Sequence, residues 1–158
     1  MIPAKIVRFL EYANVAHAGT RDARLVPHGH SVCGWILAPD YRTLTVILPE
    51  GAQAHLIESL EDNGQFAVTV EKYPENETYQ FKGHYVSHRP ADQSDVELVQ
   101  GIRERFIQAV LPYAGELAEG ALRSFIQRPA IAVDMEVREI YEQTPGPGAG
   151  ARVSVAEA

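Results

Sequence analysis

Alternating segments joined by short turns constrain the fold of this chain more than any other feature. About six stretches follow the period of two that is typical of β-strands, and the clearest runs from 78 to 86, with Tyr79, Phe81 and Tyr85 on one face. Parallel strands need a crossover of about a dozen residues, and most of these connections are shorter. The pattern therefore predicts an antiparallel sheet or small barrel of about six strands, mainly β, with helices at its periphery.

Helical spacing of apolar residues predicts the peripheral elements. The expected helices cover 3–12, the stretch from 53 to Asn63-Gly64, the stretch from Ser94 to Pro112, and a shorter stretch before Pro129. Ser94 and Glu97 match a capping box, and Pro112 is expected to stop the long helix. Residues 31–37 are expected to form one strand that carries Cys33 and Trp35 on the same face.

The domain organisation follows from length and turn residues. With 158 residues, the chain has the size of one domain, which we place at 1–142. Residues 143–158 form a Gly/Pro-rich tail in which 144–150 are expected to be irregular. Those glycines fit either a flexible tail or a backbone that approaches a ligand closely.

Composition excludes several classes of protein. Apolar residues make up 46% of the chain, enough for a core, but no apolar run approaches the ~20 residues of a membrane span. A net charge of −7 argues against general nucleic-acid binding, and we expect a cytoplasmic protein without a signal peptide. Cys33 is the single cysteine, which excludes an intrachain disulfide and a Cys-rich zinc site. We expect it to be a buried small hydrophobe. The histidine spacing predicts no metal site.

A polar ladder along the strand 78–86 is the most informative candidate for a site. Thr78, Gln80, Lys82 and His84 alternate there, which offers a hydroxyl, an amide, a cation and an imidazole on one face. That face is either a solvated outer surface or a groove for an anionic, hydrogen-bonding planar ligand. In the second case Lys82 would neutralise a phosphate, with help from Arg21.

Three short stretches carry a resemblance to a known family. They are Gly19-Thr20-Arg21-Asp22-Ala23 leading to Pro27, Thr45-Val46-Ile47-Leu48-Pro49-Glu50, and Thr78-Tyr79-Gln80-Phe81-Lys82-Gly83. With the order of elements, they make the chain resemble the FMN-binding split-barrel superfamily, the pyridoxamine 5′-phosphate oxidase-like proteins. The resemblance implies a six-stranded antiparallel Greek-key split β-barrel that forms a homodimer, with FMN at the dimer interface and a small-molecule substrate.

The resemblance also suggests which residues hold the cofactor. The candidates are Lys82 for the phosphate, Gln80 and Thr45 for polar contacts, Arg21 for additional charge, and His30 or His84 for the ring or the substrate. No catalytic acid–base pair is identified. Residues 27–37 contain neither Arg nor Lys and the Arg-x-His motif near the C-terminus is absent, so oxidation of pyridoxamine phosphate itself is not expected.

Two functions stay open at this point. The first is a flavin-dependent oxidoreductase, and the second is a non-catalytic flavin- or haem-binding or sensing protein on the same fold. The deazaflavin F420 is a further cofactor, but its acidic tail would be repelled by a chain of net charge −7 unless a basic groove exists.

Overall fold

The structure is a computed structural model that describes residues 1–124 and 126–153, apart from the side chains of residues 53, 54, 116 and 117. In chain order the elements are α1 Ala4–Tyr12, β1 Val15–Arg21, β2 Pro27–Ser31, β3 Gly34–Leu37, β4 Thr43–Pro49, α2 Gln53–Asn63, β5 Gln65–Lys72, β6 Glu77–Pro90, α3 Gln93–Ala114, α4 Glu116–Ser124, β7 Pro129–Glu142 and β8 Arg152–Val153. Strands dominate the order, as the alternation predicts.

The strands form one curled antiparallel sheet. Its order is β2-β1-β5-β6-β7-β4-β3, so β2 and β3 lie at opposite edges although only two residues separate them in the chain. The Val32 amide donates to Ala16 of β1 at 2.9 Å, and the next amide, that of Cys33, donates to Ile47 of β4 at 2.8 Å. Residues 27–37 therefore join the two edges, and the predicted antiparallel barrel is confirmed, with β2 and β3 acting as one bent strand among six.

The prediction of a single regular strand over 31–37 is wrong for the same reason. Because the chain crosses from one edge to the other at Val32-Cys33, the alternation of faces is interrupted there. Trp35 points into the barrel, where its indole N–H donates to the Leu10 carbonyl at 3.1 Å. Cys33, buried as expected, packs instead in a separate cluster with Ile47, Val99 and Ala132, beneath α3.

The barrel interior holds the main core. Inward-facing residues of every second position are buried, including Leu44, Val46, Val68, Phe81 and Met135. Helix α1 closes one end because Ile6, Phe9 and Leu10 recur on one face and are buried together. The Phe9 ring meets Tyr79 edge-on at 4.9 Å between centroids, which joins this helix to β6.

The long helix α3 lies outside the barrel and begins earlier than predicted. Its N-cap is Asp92, and the capping box pairs Asp92 with Asp95 rather than Ser94 with Glu97. The helix also continues through Pro112 and ends before Gly115, whose φ is +76°. In the described ranges, neither this helix nor any other is long and apolar enough to cross a membrane.

After β7 the chain turns back on itself. The 144–150 stretch consists of bends and turns, and the Gly150 amide donates to the Glu142 carbonyl at 2.7 Å. Arg152 and Val153 then pair with Tyr141 and Ile140 of β7. Residues 154–158 of the expected tail lie outside the described residues.

Candidate functional site

The outer face of the curled sheet is divided into two halves. In the half that we call the covered half, Ile47 and Ala132 are buried beneath α3 together with Cys33. The open half consists of β1, β5 and the first part of β6, where outward-facing residues such as His17 and Lys82 remain exposed. The open half therefore offers the strand surface against which a flat ligand can lie.

Strand register arranges the open half in rows that run across the strands. The polar row joins Ser31, His17, Thr69, Gln80 and Tyr141, each opposite the next on its neighbouring strand. The adjacent row, which we call the small row, joins Gly29, Gly19 and Ala67 and continues with Lys82 and Glu139. Hydrogen-bonding side chains thus border a strip whose first three residues carry a methyl group at most.

The small row forms a floor of backbone and methyl groups that packing within the chain does not require. A Cβ added to Gly19 would lie 3.7 Å from the His28 carbonyl oxygen, and one added to Gly29 would lie 3.5 Å from that of Ala18, both ordinary contacts. Strands are about 4.8 Å apart, so three neighbouring positions span roughly 10 Å. This width suits a planar ring system that approaches the backbone closely.

Lys82 stands at the end of this floor as an available cation. Its Nζ lies 4.6 Å from the centroid of the Tyr141 ring, and no carboxylate within the described ranges forms an ion pair with it. Glu139, opposite in register, is engaged elsewhere. It accepts from the Tyr141 hydroxyl at 2.9 Å and pairs with Arg152 at 3.2 Å. That hydrogen bond to the Glu139 carboxylate raises the pKa of Tyr141, which therefore stays a neutral donor.

Gln80 and His84 flank Lys82 on the same face of β6. The Gln80 amide nitrogen donates to the Thr69 hydroxyl at 3.4 Å, which orients the amide along the polar row. The His84 Nε2 lies 3.3 Å from the Gln65 amide nitrogen, and its roles depend on the tautomer. These two side chains and Lys82 lie together on one face, as the alternation of residues 78–86 predicts.

Arg21 shares the outer face, whereas His30 does not. Arg21 is exposed at the end of β1, one outward position beyond Gly19. His30 is opposite Ala18, which is buried, and it therefore faces away from the floor formed by Gly29.

Thr45 lies on the outer face of β4, outside the open half. Its hydroxyl donates to Asp134 Oδ1 at 2.6 Å, and Ser87 donates to the other oxygen of the same carboxylate at 3.0 Å. The structure therefore brings Gln80, Lys82, His84 and Arg21 together and leaves Thr45 apart from them.

Sequence reasoning missed the residues that complete the rows. His17, Gly19 and Arg21 alternate visibly in β1, but nothing local indicated that Thr69 and Gln80 would continue the line of His17. Tyr141 was missed for the same reason. Alternation along one strand predicts which of its residues share a face. A row across the sheet can be predicted only when the register of four strand pairs is known.

Comparisons with known proteins agree with this architecture. No family model matches the sequence, and no curated protein matches it. Among solved structures, a putative pyridoxamine 5′-phosphate oxidase from Lactobacillus delbrueckii is similar with a TM-score of 0.53 and 13% identity, over 89% of this chain and 93% of that chain. An F420 reductase gives a TM-score of 0.56 and 10% identity, over 88% and 98%. HutZ, a haem storage protein from Vibrio cholerae, gives a TM-score of 0.50 and 14% identity, over 90% of this chain and 95% of that chain.

These likenesses concern architecture, since every identity is low. They cover nearly the whole of each chain, so the likeness extends over the entire sheet and its helices. The chain has the split-barrel fold of the pyridoxamine 5′-phosphate oxidase-like proteins, as its resemblance implied.

Proposed function

We propose that this chain binds FMN on the open half of its sheet and acts as a flavin-dependent oxidoreductase on a small molecule. The observation that carries the proposal is the small row. Gly29, Gly19 and Ala67 leave the backbone of three strands uncovered, and the next residue in the same row is the available cation Lys82. A flat ring with an anionic chain matches this arrangement in shape and in charge.

The residues of the site fit the parts of FMN. The ring system would lie on the small row, where ring edges face the polar row and its Gln80, Thr69 and His17 side chains. The phosphate would meet Lys82, with Arg21 adding positive charge at the other side of the floor. His84 lies one outward position beyond Lys82 and can donate to or accept from the ligand, depending on its tautomer.

The bound flavin would supply the redox chemistry, and the residues of this chain would bind and orient it. Gln80 presents an amide that can donate to or accept from a ring edge, and Thr69 holds that amide in place. The floor of glycine and alanine excludes water from one side of the ring. No side chain is assigned as a catalytic acid or base.

The assembly that we propose is a homodimer in which the second copy covers the flavin. The resemblance implies it, and in the part of the chain that the structure describes no helix lies over the small row. Two exposed apolar residues outside the open half, Val86 of β6 at 58% and Ile36 of β3 at 37%, are available for such an interface. Sedimentation equilibrium of the purified protein should give twice the chain mass, and a monomer at micromolar concentration would contradict this part of the proposal.

Two other cofactors have support from particular observations. An F420 reductase and a haem storage protein share the fold, and His17 and His84, which border the floor, would offer an imidazole ligand to a haem iron. Haem would favour the non-catalytic alternative, a storage or sensing protein. The visible absorption spectrum of the purified protein distinguishes flavin, haem and an empty barrel.

The phosphate role of Lys82 provides the decisive test. A charge-assisted contact contributes roughly 1.5–3 kcal/mol, so Lys82→Ala should weaken FMN binding by about ten- to a hundredfold. Riboflavin, which lacks the phosphate, should lose much less. Titration of the cofactor-free protein, followed by quenching of flavin fluorescence, measures both affinities.

Lys72→Ala is the matched control for this test. Lys72 pairs with Glu75 at 2.9 Å at the end of β5, away from the small row, so its removal changes the net charge equally. FMN affinity should be unchanged in this variant. Equal losses for FMN and riboflavin in Lys82→Ala, or wild-type affinity for both, would contradict the phosphate role.

A further inference from the structure

A cavity of about 430 Å³ lies between helices α3 and α4 and the strands β1 and β2. This volume falls within the roughly 300–1,000 Å³ typical of small-molecule sites. Most of its wall is apolar, formed mainly by Val32, Cys33, Ile102, Phe106, Ile107 and Leu122. The function proposed above does not use this space.

The polar side chains in the wall are largely engaged with the protein itself. Asn14 makes two hydrogen bonds to the Tyr73 backbone, at 2.9 and 3.0 Å. Gln127 donates to the Ser31 hydroxyl at 2.7 Å, and the Arg103 guanidinium donates to backbone carbonyls at the end of α4. These carbonyls carry the negative end of the helix dipole, which partly offsets the charge of Arg103.

On the side of the cavity that the strands form, the Cys33 thiol adds no charge to the wall. Burial raises the pKa of Cys33 to about 12, so the group is a neutral, weakly polar surface at ordinary pH. A ligand in the cavity thus meets hydrocarbon and a neutral thiol over most of its surface.

His17 differs from the other polar residues of the cavity wall, and it connects the cavity to the open half of the sheet. It lines the cavity, it is exposed, and its ring makes no hydrogen bond within the described part of the chain. It also belongs to the polar row, and Gly19 of the small row is only two residues away, about 6.6 Å along the strand. Ser31 likewise belongs to both the cavity wall and the polar row.

We propose that the cavity binds a neutral, largely apolar small molecule of up to about two fused or linked rings, with one polar group directed at His17. If the flavin lies on the small row as proposed above, this molecule is positioned beside it as the substrate, and that link alone depends on the proposed function. The binding of an apolar molecule in the cavity does not depend on it.

Two fluorescent probes of one skeleton test the character of the ligand. N-phenyl-1-naphthylamine is neutral, and 8-anilinonaphthalene-1-sulfonate carries a sulfonate on a similar frame. We expect saturable binding of the neutral probe to the cofactor-free protein, at least tenfold tighter than that of the anionic probe. Tighter binding of the sulfonate would overturn the assignment of a neutral ligand.

Two neighbouring positions on α4 show whether the probe occupies this cavity. Both are exposed, but only Ala121 lines the cavity, and a side chain at Gly120 would meet nothing within 4 Å. Ala121→Phe should weaken binding of the neutral probe by at least tenfold, and Gly120→Phe should leave it unchanged. Absence of saturable binding, or equal affinity in both variants, would overturn the proposal.

The flavin titration separates this proposal from the preceding one. Ala121→Phe should bind FMN as the wild type does, because Ala121 is not part of the small row or the polar row. If the neutral probe binds and Ala121→Phe weakens it while FMN does not bind at all, the cavity assignment stands and the link to flavin chemistry fails. If FMN binds and the neutral probe does not, the cavity assignment fails alone.

Discussion

The two halves of the outer sheet face differ although they belong to the same sheet. In the covered half, α3 lies on the strands, and the outward-facing residues Ile47 and Ala132 are apolar and buried. In the open half, no helix of the described chain lies over the small row, and the outward-facing residues are small, polar or charged, as Gly19, Gln80 and Lys82 illustrate. A sheet that covers only half of its outer face with its own chain leaves the other half for a ligand or a second copy.

The glycines of the two regions differ in the same way. A Cβ on Gly34 would lie 3.1 Å from side-chain methyl groups of both Ile102 and Val99 of α3, so a larger residue there would press on the helix. A Cβ on Gly83 would lie 2.0 Å from the Glu136 carbonyl oxygen, inside the barrel wall. Gly19 and Gly29 have no such contact, so packing within the chain does not explain the glycines there. Their small size instead leaves room for a molecule that approaches the sheet from outside.

The largest expected effect comes from the contrast between Gly83 and Gly19. Gly83→Ala forces the backbone of β7 to move and should lower the free energy of unfolding by about 3 kcal/mol. Gly19→Ala should change it by less than about 0.5 kcal/mol, since the added methyl group has room. Urea denaturation measures both values, and similar losses would show that the fold does require glycine in the small row.

A smaller effect concerns the attachment of α3 to the covered half. Asp95 is fully buried and accepts from Arg89 at 2.6 and 3.0 Å and from the Asp92 amide at 2.8 Å. Asp95→Asn removes the charge and turns an amide donor toward Arg89, which should destabilise the protein by about 2 kcal/mol.

Asp92→Asn is the control, because asparagine caps a helix as well as aspartate does. Asp92→Asn should lower the free energy of unfolding, measured by urea denaturation, by less than about 0.5 kcal/mol. Cys33 lies beneath α3, and the rate at which a thiol reagent labels it should increase in Asp95→Asn but not in Asp92→Asn. Equal labelling rates in both variants would mean that the Arg89–Asp95 pair does not hold the helix on the sheet.

The smallest effect is a pH dependence that arises from Cys33. Burial raises the pKa of its thiol to about 12 from an ordinary 9.0, so the folded state keeps a proton that the unfolded state releases between these values. This contribution to stability is complete below pH 9 and is lost as the pH rises toward 12, with a loss of about 1.4 kcal/mol at pH 10.

Urea denaturation at pH 8 and pH 10 measures this loss, with Cys33→Ala as the reference for all other groups that titrate in the range. The wild type should lose about 1.4 kcal/mol more than the variant between these values. An equal loss in the two proteins would mean that the thiol is not shielded by the covered half.

Much of the local structure could be predicted from the sequence, and the site only in part. The faces of β6, the helix before Gly64 and the apolar stripe of α1 all follow from spacing within a few residues. The alternation therefore predicts that Gln80, Lys82 and His84 lie together. Thr45 and His30 were added on resemblance, and the structure places them away from the others because β4 and the inward face of β2 are separate surfaces.

The sequence alone predicts the antiparallel character of the sheet and, for most strands, the face that carries the polar residues. Both follow from backbone geometry, since a strand alternates its side chains and a short turn reverses its direction. Long-range contacts set the crossing at Val32-Cys33, the alignment of Gly29, Gly19, Ala67 and Lys82 in one row, and the cavity beneath α4. These features depend on which distant segments pair and in which register, and one residue of slip in any pair would dissolve the row without changing the pattern along a single strand.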